Sequence, residues 1–306
     1  FGRTNDGEIK NLVVENAKVS GYLNVAVVAG TPYTSKYTNI TVQGHVEING
    51  FSYVGAVGGK SAYADWTNIT VNVDETSYVN ANSIEGSKAY RTYVGGVCGF
   101  NGEGGHSFKN ITSNIDVKGS TCDVGGLFGI AHYGNQFENC SCSGDVEIYA
   151  AEAEVAQEIG GIAGVWNNGG ADVVFTNCTF TGTLKTNIAV DFYYGGLVGK
   201  PYSKTGTGKL IIDGYEMVAN GVGMKDGEYY VFNANGLATL NTMMSNKTAG
   251  KNIVVNLNDD INFEGKTWTP VDSHADTTFS FKELNGNGHT IYNLTIDGQA
   301  MFKRFA

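Results

Sequence analysis

Proline supplies only 3 of the 306 residues and charged side chains only 16%, against about 25% in ordinary soluble domains. A proline-rich linker is thereby excluded. The scarce charge is also one-sided: 20 Lys and Arg stand against 30 Asp and Glu, a net charge of −10 without any basic run. The electrostatic footprint that a phosphate backbone requires is missing, which argues against nucleic acid and anionic membrane surfaces as partners. No apolar stretch approaches the ~20 residues that cross a bilayer as a helix, so no membrane insertion is expected within this chain. No basic and apolar leader opens it either. The opening Phe1-Gly2-Arg3 has no initiator Met and reads as the tail of a truncated repeat. Five cysteines cannot all pair within one chain, and their spacing matches no disulfide or zinc framework.

What is abundant is glycine, 43 residues, together with 17 Tyr and 15 Phe. The aromatics are too many for a chain that stays unfolded. The glycines fall into a repeat: Val25-Ala-Val-Val-Ala-Gly30, Val54-Gly-Ala-Val-Gly-Gly59, Val94-Gly-Gly-Val-Cys-Gly99, Val124-Gly-Gly-Leu-Phe-Gly129, Ile159-Gly-Gly-Ile-Ala-Gly164 and Tyr194-Gly-Gly-Leu-Val-Gly199. The fourth residues, at 28, 57, 97, 127, 162 and 197, are spaced by 29, 40, 30, 35 and 35. A second block, aromatic or Ile at its head and Asn at its third place, keeps step with the first: Ile9-Lys-Asn11, Tyr37-Thr-Asn39, Trp66-Thr-Asn68, Phe108-Lys-Asn110, Phe137-Glu-Asn139 and Phe175-Thr-Asn177. A third, alternating block, such as Val42-Gln-Gly-His-Val46-Glu-Ile48, completes a unit of three short strands.

A three-strand unit of about 30 residues cannot bury its apolar face alone, so the units stack. The expected fold class is all-β, a parallel β-helix over 1–206, followed by a second β-rich module over 207–306. That module carries one helix near 235–246, whose apolar residues 237, 240, 243 and 244 share one helical face. Strands are expected there at 253–257, 278–281 and 290–296. Gly95, Gly96, Gly125, Gly126, Gly160, Gly161, Gly195 and Gly196 are assigned a structural role at corners or beneath large side chains.

The blocks Gly126-Leu-Phe-Gly129 and Gly196-Leu-Val-Gly199 resemble the GLUG-motif family of bacterial surface adhesins and secreted peptidase-type passengers, over roughly residues 1–200. The resemblance implies a right-handed β-helix, and the family shares no catalytic residues to carry over. Leu284-Asn-Gly-Asn-Gly-His-Thr-Ile-Tyr-Asn293 is similar to the opening coil of pectin-lyase-like β-helices.

Chemical signals are sparse. The seven Asn-x-Ser/Thr sequons would suggest glycosylation, yet Asn39, Asn68, Asn110, Asn139 and Asn177 occupy one repeat position and fit an amide ladder along the stack instead. Cys140 and Cys178 share a position and Cys142 lies two residues on, which reads as core packing; a metal site lacks a fourth ligand. Gly206-Thr-Gly-Lys209 fails as a P-loop, because no Ser or Thr follows the Lys. The histidines at 45, 106, 132, 274 and 289 form no hydrolase motif. Glu147 and Lys185 fall on equivalent positions and read as an exposed ion pair. No catalytic residue, metal or cofactor is assigned.

Two columns are candidates for binding. One is the aromatic set four to six residues past the anchors: Tyr33, Tyr63, Tyr133, Trp166 and Tyr202. The other precedes the glycines, Tyr53, Tyr93, Asp123, Glu158 and Tyr193, next to insertions at 75–91 and 149–158, and insertions in solenoids often mark a binding face. Flat amphipathic rings along one edge suit sugars or protein partners, although packing over loop backbones and stacking on each other is the favoured account of the aromatic set. The sequence therefore points to an extracellular or bacterial cell-surface adhesin or stalk that recognises a glycan or host protein. A polysaccharide-degrading β-helix and a structural spacer associating end to end stand as alternatives.

Overall fold

The computed structural model describes residues 1–82, 92–120, 122–149, 158–186, 196–201, 206–246, 248–249, 252–269, 281–298 and 300–301. Strand dominates, with one helix among these residues. The chain divides into two compact units, one reaching from Phe1 to Asp213 and the other beginning at Gly214. The first runs past the expected boundary at 206 because Leu210–Ile212 still pairs, in parallel, with Val173–Phe175.

Each repeat of the first unit holds four strands where three were expected. In one repeat they are Thr31–Tyr33, Lys36–Gly44, Glu47–Gly50 and Ser52–Val54. As far as Val173–Thr176, each strand pairs in parallel with its counterparts in neighbouring repeats, so that every fourth strand belongs to the same sheet; beyond it Thr179–Phe180 adds to the long-strand sheet beside Gln136–Cys142. The Val-Gly-Gly-Val block is what separates the fourth strand from the first of the next repeat. Thr92–Gly95 ends at Gly95 and Cys98–Gly102 begins three residues later.

Close backbone approach explains the glycines at this corner. A Cβ at Gly96 would lie 2.2 Å from the carbonyl oxygen of Gly126, and one at Gly126 would lie 2.0 Å from that of Gly161. At Gly95, Gly125 and Gly160 it would meet a carbonyl oxygen of the next strand at 2.4, 1.8 and 2.1 Å, and at Gly161 the Phe180 ring at 2.1 Å. Any side chain there would push neighbouring repeats apart. Gly196 differs in having φ +84°, and Gly195 lies outside the described residues.

The core follows from stacking equivalent positions. Tyr37, Trp66, Phe108, Phe137 and Phe175 form one buried column, with ring centroids 5.1, 6.2, 5.0 and 4.7 Å apart. The anchors Val28, Val57, Val97, Leu127, Ile162 and Leu197 are all buried. Fully burying one such side chain contributes about 1.5–3 kcal/mol, and the repeat supplies several per tier.

Along the rim of the long-strand sheet runs the asparagine ladder. Each amide donates to the one before it: Asn39 to Asn11, Asn68 to Asn39, Asn110 to Asn68, Asn139 to Asn110 and Asn177 to Asn139, at 2.8–3.0 Å. All six residues have φ between 51° and 56°, a left-handed conformation that asparagine tolerates better than most residues. The Nδ2 atoms that glycosylation would modify are thus the ladder's donors.

The second unit opens with an antiparallel meander, Tyr215–Ala219, Val222–Lys225 and Glu228–Val231. The helix Ala234–Ser245 follows, capped by Asn233, whose side chain accepts from the Gly236 amide at 2.9 Å. It leads into Ile253–Leu257, which pairs in parallel with Glu228–Val231. Leu237, Leu240 and Met244 are buried against Val231, Val255, Phe263 and Trp268, the face that the apolar spacing marks. Phe281–Asn285, Ile291–Tyr292 and Thr295–Ile296 add a further parallel layer. Residues 278–280 of the expected strand at 278–281 lie outside the described residues.

Candidate ligand-binding surface

The corner after each first strand projects side chains outward, and one strip of it gathers the chemistry. Tyr33 ends the strand Thr31–Tyr33, in register with Asn5 below and Ala62 above. Tyr63 follows Ala62 with φ 53° and is 43% exposed. Its ring meets Tyr33 edge to face at 5.6 Å and His106 at 5.9 Å. The Arg3 guanidinium covers the Tyr33 ring at 4.6 Å from its centroid. The charge of Glu103 raises the Tyr63 hydroxyl above its ordinary pKa, with burial and the neighbouring Tyr33 and Tyr133 hydroxyls adding to the effect. Tyr33, Tyr63, Glu103 and Tyr133 thus follow one another along four successive repeats. Tyr133 packs on His132 with centroids 4.3 Å apart, and His106 Nδ1 lies 3.3 Å from Asp65 Oδ1.

The aromatic column read from the sequence is not one column. Asn101, Ala131 and Trp166 share a register position, and Trp166 is 5% exposed. It sits in the strand Ala163–Trp166, away from the exposed strip. Tyr63 and Tyr133 are equivalents two residues further on, with Glu103 between them in the stack. Tyr202 lies outside the described residues. Arg3, Glu103 and His106 were not anticipated, and the position of Glu103, six residues past its anchor as Tyr63 and Tyr133 are past theirs, is the signal that could have found it.

The second column is real as a register but differs in exposure. Tyr53, Tyr93, Asp123 and Glu158 are equivalents, and the Tyr53 and Tyr93 rings stack at 6.0 Å with Phe100 set edgewise against both. Yet Tyr93, Asp123 and Glu158 are all buried. Asp123 accepts the Glu158 amide at 3.0 Å, and Lys200 approaches Glu158 at 3.4 Å. Packing encloses these three groups, whereas Tyr53 is half-buried. Tyr193 and most of both insertions, 83–91 and 150–157, lie outside the described residues.

Elsewhere, Lys185 is in register with Glu147 but its Nζ pairs with Asp145 at 2.8 Å, which lowers Asp145 and raises Lys185. His45 stands between two carboxylates, Asp74 at 3.1 Å from Nδ1 and Glu47 at 3.0 Å from Nε2. Cys98, Cys140, Cys142 and Cys178 are free and buried. Among the described residues no group of three or more His, Cys, Asp or Glu is placed to hold a metal ion, and no helix is long and apolar enough to cross a membrane. No family model, curated protein or solved structure matches the chain.

Proposed function

We propose that this chain is the right-handed parallel β-helix of a secreted or surface-exposed bacterial protein of the GLUG-motif kind, and that it binds a glycan without catalysis. The parallel sheets, each built from every fourth strand, support the solenoid, and the strip of Arg3, Tyr33, Tyr63, Glu103, His106 and Tyr133 carries the binding reading. Sugar recognition calls for flat apolar faces flanked by hydrogen-bonding groups. Here Tyr33 and Tyr63 stand one repeat apart and Tyr63 and Tyr133 two, flanked by a guanidinium, a carboxylate and an imidazole.

The test is a glycan array followed by titration of the best ligand with the Tyr63→Ala and Tyr133→Ala variants. Each is expected to weaken binding at least roughly tenfold, about 1.4 kcal/mol. Trp166→Ala, which changes a buried ring, is expected to lower stability more than affinity. A blank array, or affinity indifferent to both tyrosines, overturns the proposal; turnover of an array polysaccharide would favour the lyase or glycosidase reading.

A further inference from the structure

Two of the buried cysteines form a pair. Ile40, Ile69, Ile111 and Cys140 follow one another in register along the long-strand sheet. Cys178 is next in that column, since its neighbours Thr176 and Thr179 pair with Glu138 and Ser141 on either side of Cys140. In-register neighbours in a parallel sheet lie about 4.7–4.9 Å apart, inside the Cα separation of roughly 4.4–6.8 Å that a disulfide spans and a few tenths of an ångström beyond its Cβ separation of about 3.5–4.5 Å, so closure needs the two Cβ atoms to tilt slightly toward each other. Both thiols lean back along their own strands, Cys140 Sγ lying 3.5 Å from the Glu138 oxygen and Cys178 Sγ 3.5 Å from that of Thr176. The two side chains also interact directly. Cys142 turns instead toward the Gly144 carbonyl, and Cys98 lies in a different sheet.

We infer that Cys140 and Cys178 close into a disulfide that staples two adjacent repeats when the protein meets a small-molecule disulfide. Cys178 is the entry point, being 6% exposed where Cys140 is fully enclosed. The hydrogen bond with Cys140 lowers its pKa and raises that of Cys140. The Cys178 thiolate attacks one sulfur of the oxidant, whose S–S bond breaks, leaving a mixed disulfide and one small thiolate. Cys140 passes its proton to that thiolate, attacks Cys178 Sγ and expels the second small thiolate, which takes up the proton that Cys178 released on ionising. The protein loses two electrons and two protons, and the oxidant becomes two thiols.

Equilibration of the folded chain with oxidised glutathione, followed by acid quench, alkylation and non-reducing peptide mapping, tests this. A Cys140–Cys178 linked peptide is expected, with thiols titrated after denaturation falling from five to three. The oxidised chain is expected to unfold at a higher denaturant midpoint than the reduced one. Cys178→Val suits a column otherwise filled by Ile, and it is expected to begin at four thiols and remain at four. A count that stays at five, a cross-link between any other pair, a reaction halting at glutathionylated Cys178, or an oxidised form no more stable than the reduced one overturns the inference.

Discussion

At the scale of the residue, asparagine does two things at one position. Asn110 takes a left-handed backbone conformation and links two amides, donating to Asn68 at 2.9 Å and accepting from Asn139 at 3.0 Å. Replacing it with Ala removes two hydrogen bonds, each worth about 0.5–1.5 kcal/mol, and leaves in the left-handed region a residue without asparagine's local polar contacts, which costs about 1–2 kcal/mol. Asn110 is exposed, so the lower ends apply and a loss of about 2–3 kcal/mol is expected for Asn110→Ala. Asn110→Gly keeps the backbone at ease and should lose roughly half as much. Equal losses in denaturant unfolding would remove the conformational half of the argument. Gly58 makes a different point: its counterparts Cys98, Phe128 and Ala163 all bear side chains. It alone faces tryptophan, and a Cβ there would lie 2.6 Å from the Trp66 ring. Gly58→Ala should cost about 1–3 kcal/mol through overpacking, and adding Trp66→Phe should recover part of it; a double variant as unstable as the single one would contradict this. The ladder was legible because five sequons fell on one repeat position. The small–large exchange at Gly58 was not, since it depends on which column meets which across the core.

At the scale of the element, alternation located the strands but not the corner between them. Val94-Gly-Gly-Val reads as one apolar run whose glycine pair fits either a corner or a large side chain opposite, and the strand limits at Gly95 and Cys98 show that the chain turns there. The helix was legible because it is the one segment whose apolar spacing follows the α period. A second corner, between Lys36–Gly44 and Glu47–Gly50, holds a pH-sensitive clamp. His45 bridges to Glu47 and to Asp74 of the next repeat, Thr76 Oγ1 lies 3.1 Å from Nδ1, and Lys18 holds the far oxygen of Glu47 at 2.6 Å. The hydrogen bonds to Glu47 and then Asp74 raise His45 above its ordinary value of 6.5. Its contribution to stability is therefore complete below about 6.5 and fades as pH rises through the raised value. Asp74, held down to about 2 first by Thr76 and then by Ser77, acts in the opposite sense. Its share is present above the ordinary 3.8 and fades as pH falls toward 2. Denaturation midpoints of the parent chain should thus decline above about pH 6.5, and His45→Gln should flatten that decline. An unchanged slope in the variant would assign the decline to another group.

At the scale of the whole molecule, the spacing of the glycine blocks encoded which residues become neighbours, because a parallel strand stacks on its equivalent one repeat away. What it could not encode was which side chains face outward. A shift of one residue in a strand reverses its face, and grouping aromatics four to six places past the anchors mixed buried Trp166 with exposed Tyr63 while passing over Glu103. The same stacking fixes how stability should be distributed. Asp65–Val73 has paired neighbours on both sides, and Ile69 and Val71 are essentially inaccessible. Among the described residues Glu8–Glu15 pairs on one side only, and its Ile9, Leu12 and Val14 are half-buried. When each tier contacts only its neighbours, opening a flanking tier breaks one interface and opening a central tier breaks two. In the 306-residue polypeptide taken by itself, native-state hydrogen exchange should accordingly show protection rising from 8–15 through 36–44 to 65–73, with the amides of 65–73 exchanging at least roughly tenfold more slowly than those of 8–15. Uniform protection across these three strands would mean that the unit opens only as a whole, and nearest-neighbour stacking would then be the wrong description of what holds it together.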